Sequence, residues 1–164
     1  MQKVIAKVVL IGSIGVGKTS LIRQFVHSKF SDQYLSTIGV KVDKKTINLN
    51  EVKVDLLIWD LAGEIYLSNL FEKYLHGASA VLGVFDVTRP GTHDKLIEVF
   101  EGLSESNKKI KKIILGNKSD LADDENFSQH IRRNYTYDFL TSAKTGEFVE
   151  ESFRTIAQKI ALPV

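Results

Sequence analysis

Residues 12–19 read Gly-Ser-Ile-Gly-Val-Gly-Lys-Thr, and their neighbours leave few folds open to the chain. Ahead of them Val4, Ile5, Val8, Val9, Leu10 and Ile11 form an apolar run that reads as a strand. Behind them Leu21, Ile22, Phe25 and Val26 recur at helical spacing. A glycine loop between strand and helix lets backbone N–H groups turn inward around an anion, and the helix N-terminus adds partial positive charge. Gly12, Ser13, Ile14, Gly15, Val16 and Gly17, with Lys18, Thr19 and the adjoining Ser20, are therefore expected to surround a chain of phosphates. Lys18 would neutralise the outer phosphates and the Thr19 hydroxyl would bind Mg²⁺. The plainer alternative is a glycine-rich turn, against which the strand and helix on either side argue.

The rest of the chain alternates apolar runs with amphipathic ones, the pattern of an α/β fold with a mostly parallel sheet. Val40–Asn48 and Val52–Trp59 read as an antiparallel hairpin turning near Asn50-Glu51. Ala80–Asp86 and Ile113–Gly116 read as short buried strands, with Tyr137–Leu140 a weaker sixth. Helices are expected at 67–75, 94–103, 127–133 and 148–160. Pro90-Gly91 reads as a turn, and Asp123-Asp124-Glu125 as a loop. No repeat or linker divides the 164 residues, so a single domain over 1–164 is expected, with ample apolar material at 43%.

Twenty-two basic and 20 acidic residues give a net charge of +2, which offers no reason to invoke nucleic acid. The basic run Lys108, Lys109, Lys111, Lys112 reads as a solvated approach to a strand. The absence of cysteine excludes disulfides and thiolate metal sites, and argues against a direct lipid anchor on this chain. No segment reads as a signal peptide or a membrane span, so a cytoplasmic location is expected. His27, His76, His93 and His130 lack metal-ligand spacing and read as structural or surface residues.

Ligands of open parallel sheets sit beyond the carboxyl ends of the strands, and the polar segments gather after strands. Asp60 closes Leu56-Leu57-Ile58-Trp59, where a carboxylate suits a Mg²⁺ site or a turn cap. Gly63 follows, able to bring a backbone N–H to a terminal phosphate. Asn117-Lys118-Ser119-Asp120 follows the Ile113–Gly116 run. An ionised Asp120 would accept two parallel hydrogen bonds from the ring N–H and exocyclic amine of guanine. Adenine presents an acceptor in place of that ring donor, a mismatch worth about 10⁴–10⁵ in selectivity. Ser142, Ala143 and Lys144 would add a backbone N–H to the guanine carbonyl.

Across nearly its whole length the chain resembles the Ras superfamily of small GTPases, nearest its Rab-like branch. The likeness rests on the 12–19 loop, Phe30–Val40, Trp59-Asp60-Leu61-Ala62-Gly63, Asn-Lys-Ser-Asp and Ser-Ala-Lys. It implies a P-loop G domain: a six-stranded, mostly parallel sheet with one antiparallel strand and helices on both faces. It further implies GTP and GDP as ligands with Mg²⁺ held by Thr19, Thr37 and Asp60. Phe30 would stack on the base, Tyr34 lie over the phosphates, and Lys18, Thr37, Gly63 and the residue at 64 serve hydrolysis. Effectors would read the two switches, about 34–40 and 62–74, with an exchange factor and a GTPase-activating protein as further partners.

Two residues depart from the family pattern. Glu64 stands where relatives carry the Gln that orients the attacking water. An ionised carboxylate lacks the amide donor and brings negative charge towards the γ-phosphate, whereas a protonated one would mimic Gln in part. Ile14 stands where relatives carry a small residue. It either crowds the water-orienting residue and an incoming arginine finger, worth about 10³–10⁵ in rate, or turns to solvent or over Tyr34. Slow hydrolysis is expected, with a hydrolysis-deficient, GTP-loaded interaction module as the alternative. Ile65, Tyr66, Leu67, Leu70 and Phe71 either pack under switch two or form an apolar patch. A nucleoside or nucleotide kinase would need arginines over the loop, for which only Arg132-Arg133 offers a cluster.

Overall fold

The computed structural model describes residues 1–31 and 39–162, the side chains of 104–106 excepted. Six strands, β1 (Gln2–Ile11), β2 (Val40–Leu49), β3 (Val52–Leu61), β4 (Ala78–Asp86), β5 (Lys111–Asn117) and β6 (Phe139–Leu140), form one sheet. Their order is β2-β3-β1-β4-β5-β6. Only β2 runs antiparallel, paired with β3 through a two-residue turn that sets Leu49 opposite Val52. The α/β class, the strand count and the lone antiparallel strand agree with the sequence reading.

Alternation along β1 and β3 supplies two cores. Val8, Leu10, Val54, Leu56 and Ile58 face α1 (Lys18–His27) and α5 (Val149–Ala161), where the Phe25 and Phe153 rings stack 4.0 Å apart. Val9, Ile11, Val81 and Phe85 face the opposite way, under α2 (Phe71–Leu75), α3 (Pro90–Ser106) and α4 (Glu125–Asn134). Central strands buried on both faces explain the unbroken apolar runs.

Several boundaries move, each for a local reason. The helix expected over 67–75 shrinks to α2, preceded by a 3-10 turn at Ile65–Leu67, because Tyr66 turns into the core at 3% exposure. Pro90 opens α3 rather than a turn, since the first helical position needs no N–H and suits the ring's fixed φ. Asp124 caps α4 by accepting from the Phe127 N–H at 2.7 Å, so 123–125 is half helix start and not wholly loop. Lys111 and Lys112 belong to β5, and β6 keeps only two of its four expected residues. His93 is buried, accepts from the Thr136 N–H at 2.9 Å and packs edge-on against Phe85, a structural role as expected.

Away from the helices, the β2–β3–β1 end carries a polar ladder. Asp55 accepts from the Thr46 hydroxyl at 2.6 Å and pairs with Lys3 and Lys44 at 3.2 and 3.3 Å. The Thr46 bond, with both ammonium groups and against the cost of burial, holds the Asp55 carboxyl at about 2, below its ordinary 3.8. A depressed carboxyl contributes stability above its unfolded value and loses it as pH falls through the folded one. The melting-temperature advantage of the wild type over Asp55→Asn is therefore expected to be constant above about pH 5 and to shrink towards pH 2. An advantage that widened on acidification would contradict the ladder.

Candidate functional site

The segments after β1, β3, β5 and β6 open onto one cleft of about 700 Å³. Its walls carry Ile14, Gly15, Gly17, Lys18, Thr19 and Ser20 from the glycine loop. Gly63 and Glu64 come from the segment after β3, Asn117, Lys118 and Asp120 from that after β5, and Ala143 and Lys144 from that after β6, with Phe30 at the rim. Segments more than a hundred residues apart thus meet at one sheet edge, as the strand order requires.

The loop has the shape of an anion cradle. Gly15 and Gly17 take φ of 80° and 102°, and Gly17 caps α1 in a left-handed conformation that a Cβ would strain. A Cβ at Gly17 would also strike the Asn117 amide. Lys18 is 7% exposed and donates to the Gly12 carbonyl at 3.1 Å. Burial pulls its ammonium below the usual lysine range, while Asp60 and Glu64 oppose that by favouring the charge. The Thr19 hydroxyl donates to the Asp60 carboxylate at 2.6 Å, with Asp60 at 1% exposure. Hard oxygen donors so arranged fit Mg²⁺, which takes a carboxylate, a hydroxyl and phosphate oxygens while retaining water.

Asn117 is the brace of the other end. Its Nδ2 donates to the Val16 carbonyl at 2.9 Å, and its Oδ1 accepts from the Thr141 hydroxyl at 3.1 Å and the Ala143 N–H at 3.3 Å. Both ends of the amide expected on the base are engaged with protein. Asp120 accepts from the Ser142 hydroxyl at 2.8 Å, which orients its carboxylate in the cleft. Lys118 takes φ 68° and pairs with the buried Asp86 at 2.9 Å.

Some sequence expectations divide. Val16 sends its side chain into the core and contributes only backbone to the loop. Ser13 is buried, and its hydroxyl bonds the Tyr66 hydroxyl at 2.9 Å instead of facing the cleft. Ile14 is half-exposed, yet a Cβ at Gly63 would land on its side chain and lie 3.1 Å from its backbone. It therefore packs on the switch-two glycine. Thr37 and Tyr34 lie outside the described residues. The apolar segment both packs and projects: Tyr66 and Phe71 are buried, Leu67 and Leu70 exposed.

Arg89 was not singled out by sequence. Its Nη1 donates to the Ile14 carbonyl at 2.9 Å, and since trans-peptide C=O and N–H groups oppose each other, the Gly15 N–H is turned the other way. Arg132 is drawn to Glu125 on the outside of α4 at 3.8 Å. Asp86, Tyr66 and Arg89 act across 32, 53 and 75 residues, so no local pattern marks them.

The fold and the glycine loop define a P-loop protein, and its relatives narrow the class. The Ras family model matches residues 7–162. The chain is 35% identical over 160 residues to the human Ras-related protein Rab-8B, covering 94% of this chain and 77% of that one. It is 33% identical over 163 residues to the Ras-related protein Rab-1 of Theileria parva, covering 94% and 73%. The chain belongs to the Ras family of small GTPases, on its Rab-like side. Among the described residues no helix is long and apolar enough to cross a membrane.

Proposed function

We propose that residues 1–164 form one G domain that binds GTP and GDP and hydrolyses GTP slowly, acting as a cytoplasmic switch read by effector proteins. The observation that carries this reading is the convergence of Lys18, Thr19 and Asp120 on one cleft, with Asp60 bonded behind Thr19. In it, Gly15, Gly17 and Lys18 bind phosphate and Phe30, Lys118, Asp120, Ala143 and Lys144 surround guanine. Thr19 and Asp60, with Thr37, would hold Mg²⁺, which would neutralise phosphate charge.

Hydrolysis is attack of water on the γ-phosphorus with cleavage of the bond to the β-phosphate oxygen, giving GDP and phosphate. Lys18 stabilises charge on the transferred group. The Gly63 N–H would hold its oxygens, and position 64 is the one from which a side chain would orient water. Here Glu64 lacks the amide donor, and Ile14 packed on Gly63 fills space that an arginine finger needs. Switch two, with Leu67 and Leu70 exposed, offers a surface for an effector, an exchange factor or a GTPase-activating protein.

Single-turnover hydrolysis of loaded protein tests this. The wild type is expected near the ~10⁻⁴ s⁻¹ of unassisted relatives or below. The pair Ile14→Gly and Glu64→Gln is expected to raise it about tenfold, the scale of one restored transition-state hydrogen bond. A brisk wild-type rate unchanged by Glu64→Ala would overturn the slow-hydrolysis reading and leave nucleotide binding standing.

A further inference from the structure

Ser13, Ile14, Gly15 and Val16 form a turn at the crown of the phosphate loop, closed by a Val16 N–H to Ser13 carbonyl bond of 3.4 Å. Gly15, its third residue, has φ 80°, the value of a type II turn. Rotating the central Ile14–Gly15 peptide by about half a turn gives type I, which glycine accepts equally well. The two forms share the closing bond but send the Gly15 N–H to opposite sides. A long closing bond that both forms keep does not choose between them.

The choice is made from outside the loop. Arg89 Nη1 donates to the Ile14 carbonyl at 2.9 Å, and among the described residues that carbonyl meets no other hydrogen-bond donor. The same nitrogen lies 3.4 Å from where a Cβ on Gly15 would stand. Gly15 lines the cleft and Arg89 does not, so the guanidinium covers the outer face of the turn. A carbonyl held outward there leaves the N–H of its peptide facing the cleft.

Arg89 is itself held in the strap between β4 and α3. Its N–H donates to the Asp86 carbonyl at 3.0 Å, and its carbonyl accepts from the Thr92 hydroxyl at 2.7 Å and the Thr92 N–H at 3.0 Å. That hydroxyl accepts in turn from the Asp86 N–H at 3.0 Å. The Asp86 carboxylate, buried, accepts from the Thr88 N–H and hydroxyl at 2.9 and 2.6 Å and pairs with Lys118 at 2.9 Å. With the Arg89 backbone so fixed, only its side chain need be ordered to reach the loop.

We propose that Arg89 is a positioning residue for nucleotide binding: by holding the Ile14 carbonyl it keeps the Gly15 N–H aimed at the phosphates. Arg89 touches no ligand in this scheme and acts only through that one peptide. The inference rests on the guanine-nucleotide reading above. It adds that the donor set of the phosphate loop is completed by a residue outside the loop.

The test follows GDP release and the Gly15 amide proton resonance of isotope-labelled protein, with Mg²⁺ throughout. In the wild type that proton is expected to move downfield when GDP binds, as an N–H bonded to phosphate does. Arg89→Met, which keeps the stem and removes the donor, is expected to speed GDP release about fivefold, the scale of one exposed charge-assisted hydrogen bond. It should also roughly halve the Gly15 displacement while leaving those of Gly17 and Lys18 as in the wild type. Arg89→Lys, whose ammonium can donate to the same carbonyl, is expected to restore both. The inference is overturned if Arg89→Met releases GDP at the wild-type rate, or if release quickens with the Gly15 displacement unchanged. It is equally overturned if Arg89→Lys restores the rate without the displacement, for then charge and not orientation is at work. A wild type that binds no GDP would instead remove the guanine-nucleotide reading and this inference together.

Discussion

Replacing Asn117 with Ala is expected to speed GDP dissociation at least about a hundredfold and to lower the melting temperature in the same variant. The amide joins the Val16 carbonyl, the Thr141 hydroxyl and the Ala143 N–H, at 1% exposure. Its removal strands three polar groups, each costing about 1–3 kcal/mol when left unsatisfied. The cost falls on nucleotide binding because Val16 belongs to the phosphate loop and Ala143 to the segment proposed to face the base. Without the brace, the two halves of the site are no longer held in register. Stopped-flow release of a fluorescent GDP analogue, beside a thermal melt, measures both. Dissociation within about threefold of wild type would show that the halves hold each other without Asn117.

The second large effect is expected at Asp120. Its Oδ1 accepts from Ser142, and the carboxylate lines the cleft with Phe30 and Lys144. Two charge-assisted hydrogen bonds to guanine are worth about 1.5–3 kcal/mol each, so Asp120→Ala is expected to weaken GDP by about 10²–10⁴. Selectivity over ADP should fall with it, because adenine no longer meets an acceptor facing its own lone pair. Competition of GDP and ADP for the wild type and the variant reads this directly. A wild type that binds ADP as tightly as GDP, or a variant that keeps its preference, would displace Asp120 from base selection. The two substitutions differ in kind: Asn117→Ala should weaken every nucleotide, Asp120→Ala chiefly those with guanine.

Much of this molecule was legible one segment at a time. The glycine loop, the hairpin at Asn50-Glu51 and the buried strands declare themselves because their causes are local: backbone freedom at glycine, turn chemistry, and side chains alternating about a sheet. Asp60, near the end of β3, and Asp120, just after β5, stand out because the carboxyl ends of parallel strands share one sheet edge. The errors fall where a local rule met a tertiary one. The spacing of Leu67, Leu70, Phe71 and Leu75 suits one helix, yet Tyr66 takes a place in the core and bonds Ser13, and the backbone turns tightly to allow it. Pro90-Gly91 reads locally as a turn yet opens α3, since the ring that breaks a helix interior fits its first residue.

The amino-acid order alone thus determined the strand, glycine loop and helix, the α/β class and the residue types brought to the cleft. The tertiary structure alone decided how those residues are held. It set Asn117 between loops from opposite halves of the chain, seated Ile14 on Gly63, hooked Arg89 to the Ile14 carbonyl and joined Tyr66 to Ser13. The division has a physical cause. Backbone propensity and side-chain periodicity act within a few residues and leave a mark in the sequence. Hydrogen bonds between groups 53 to 101 residues apart exist only once the sheet has brought their strands side by side.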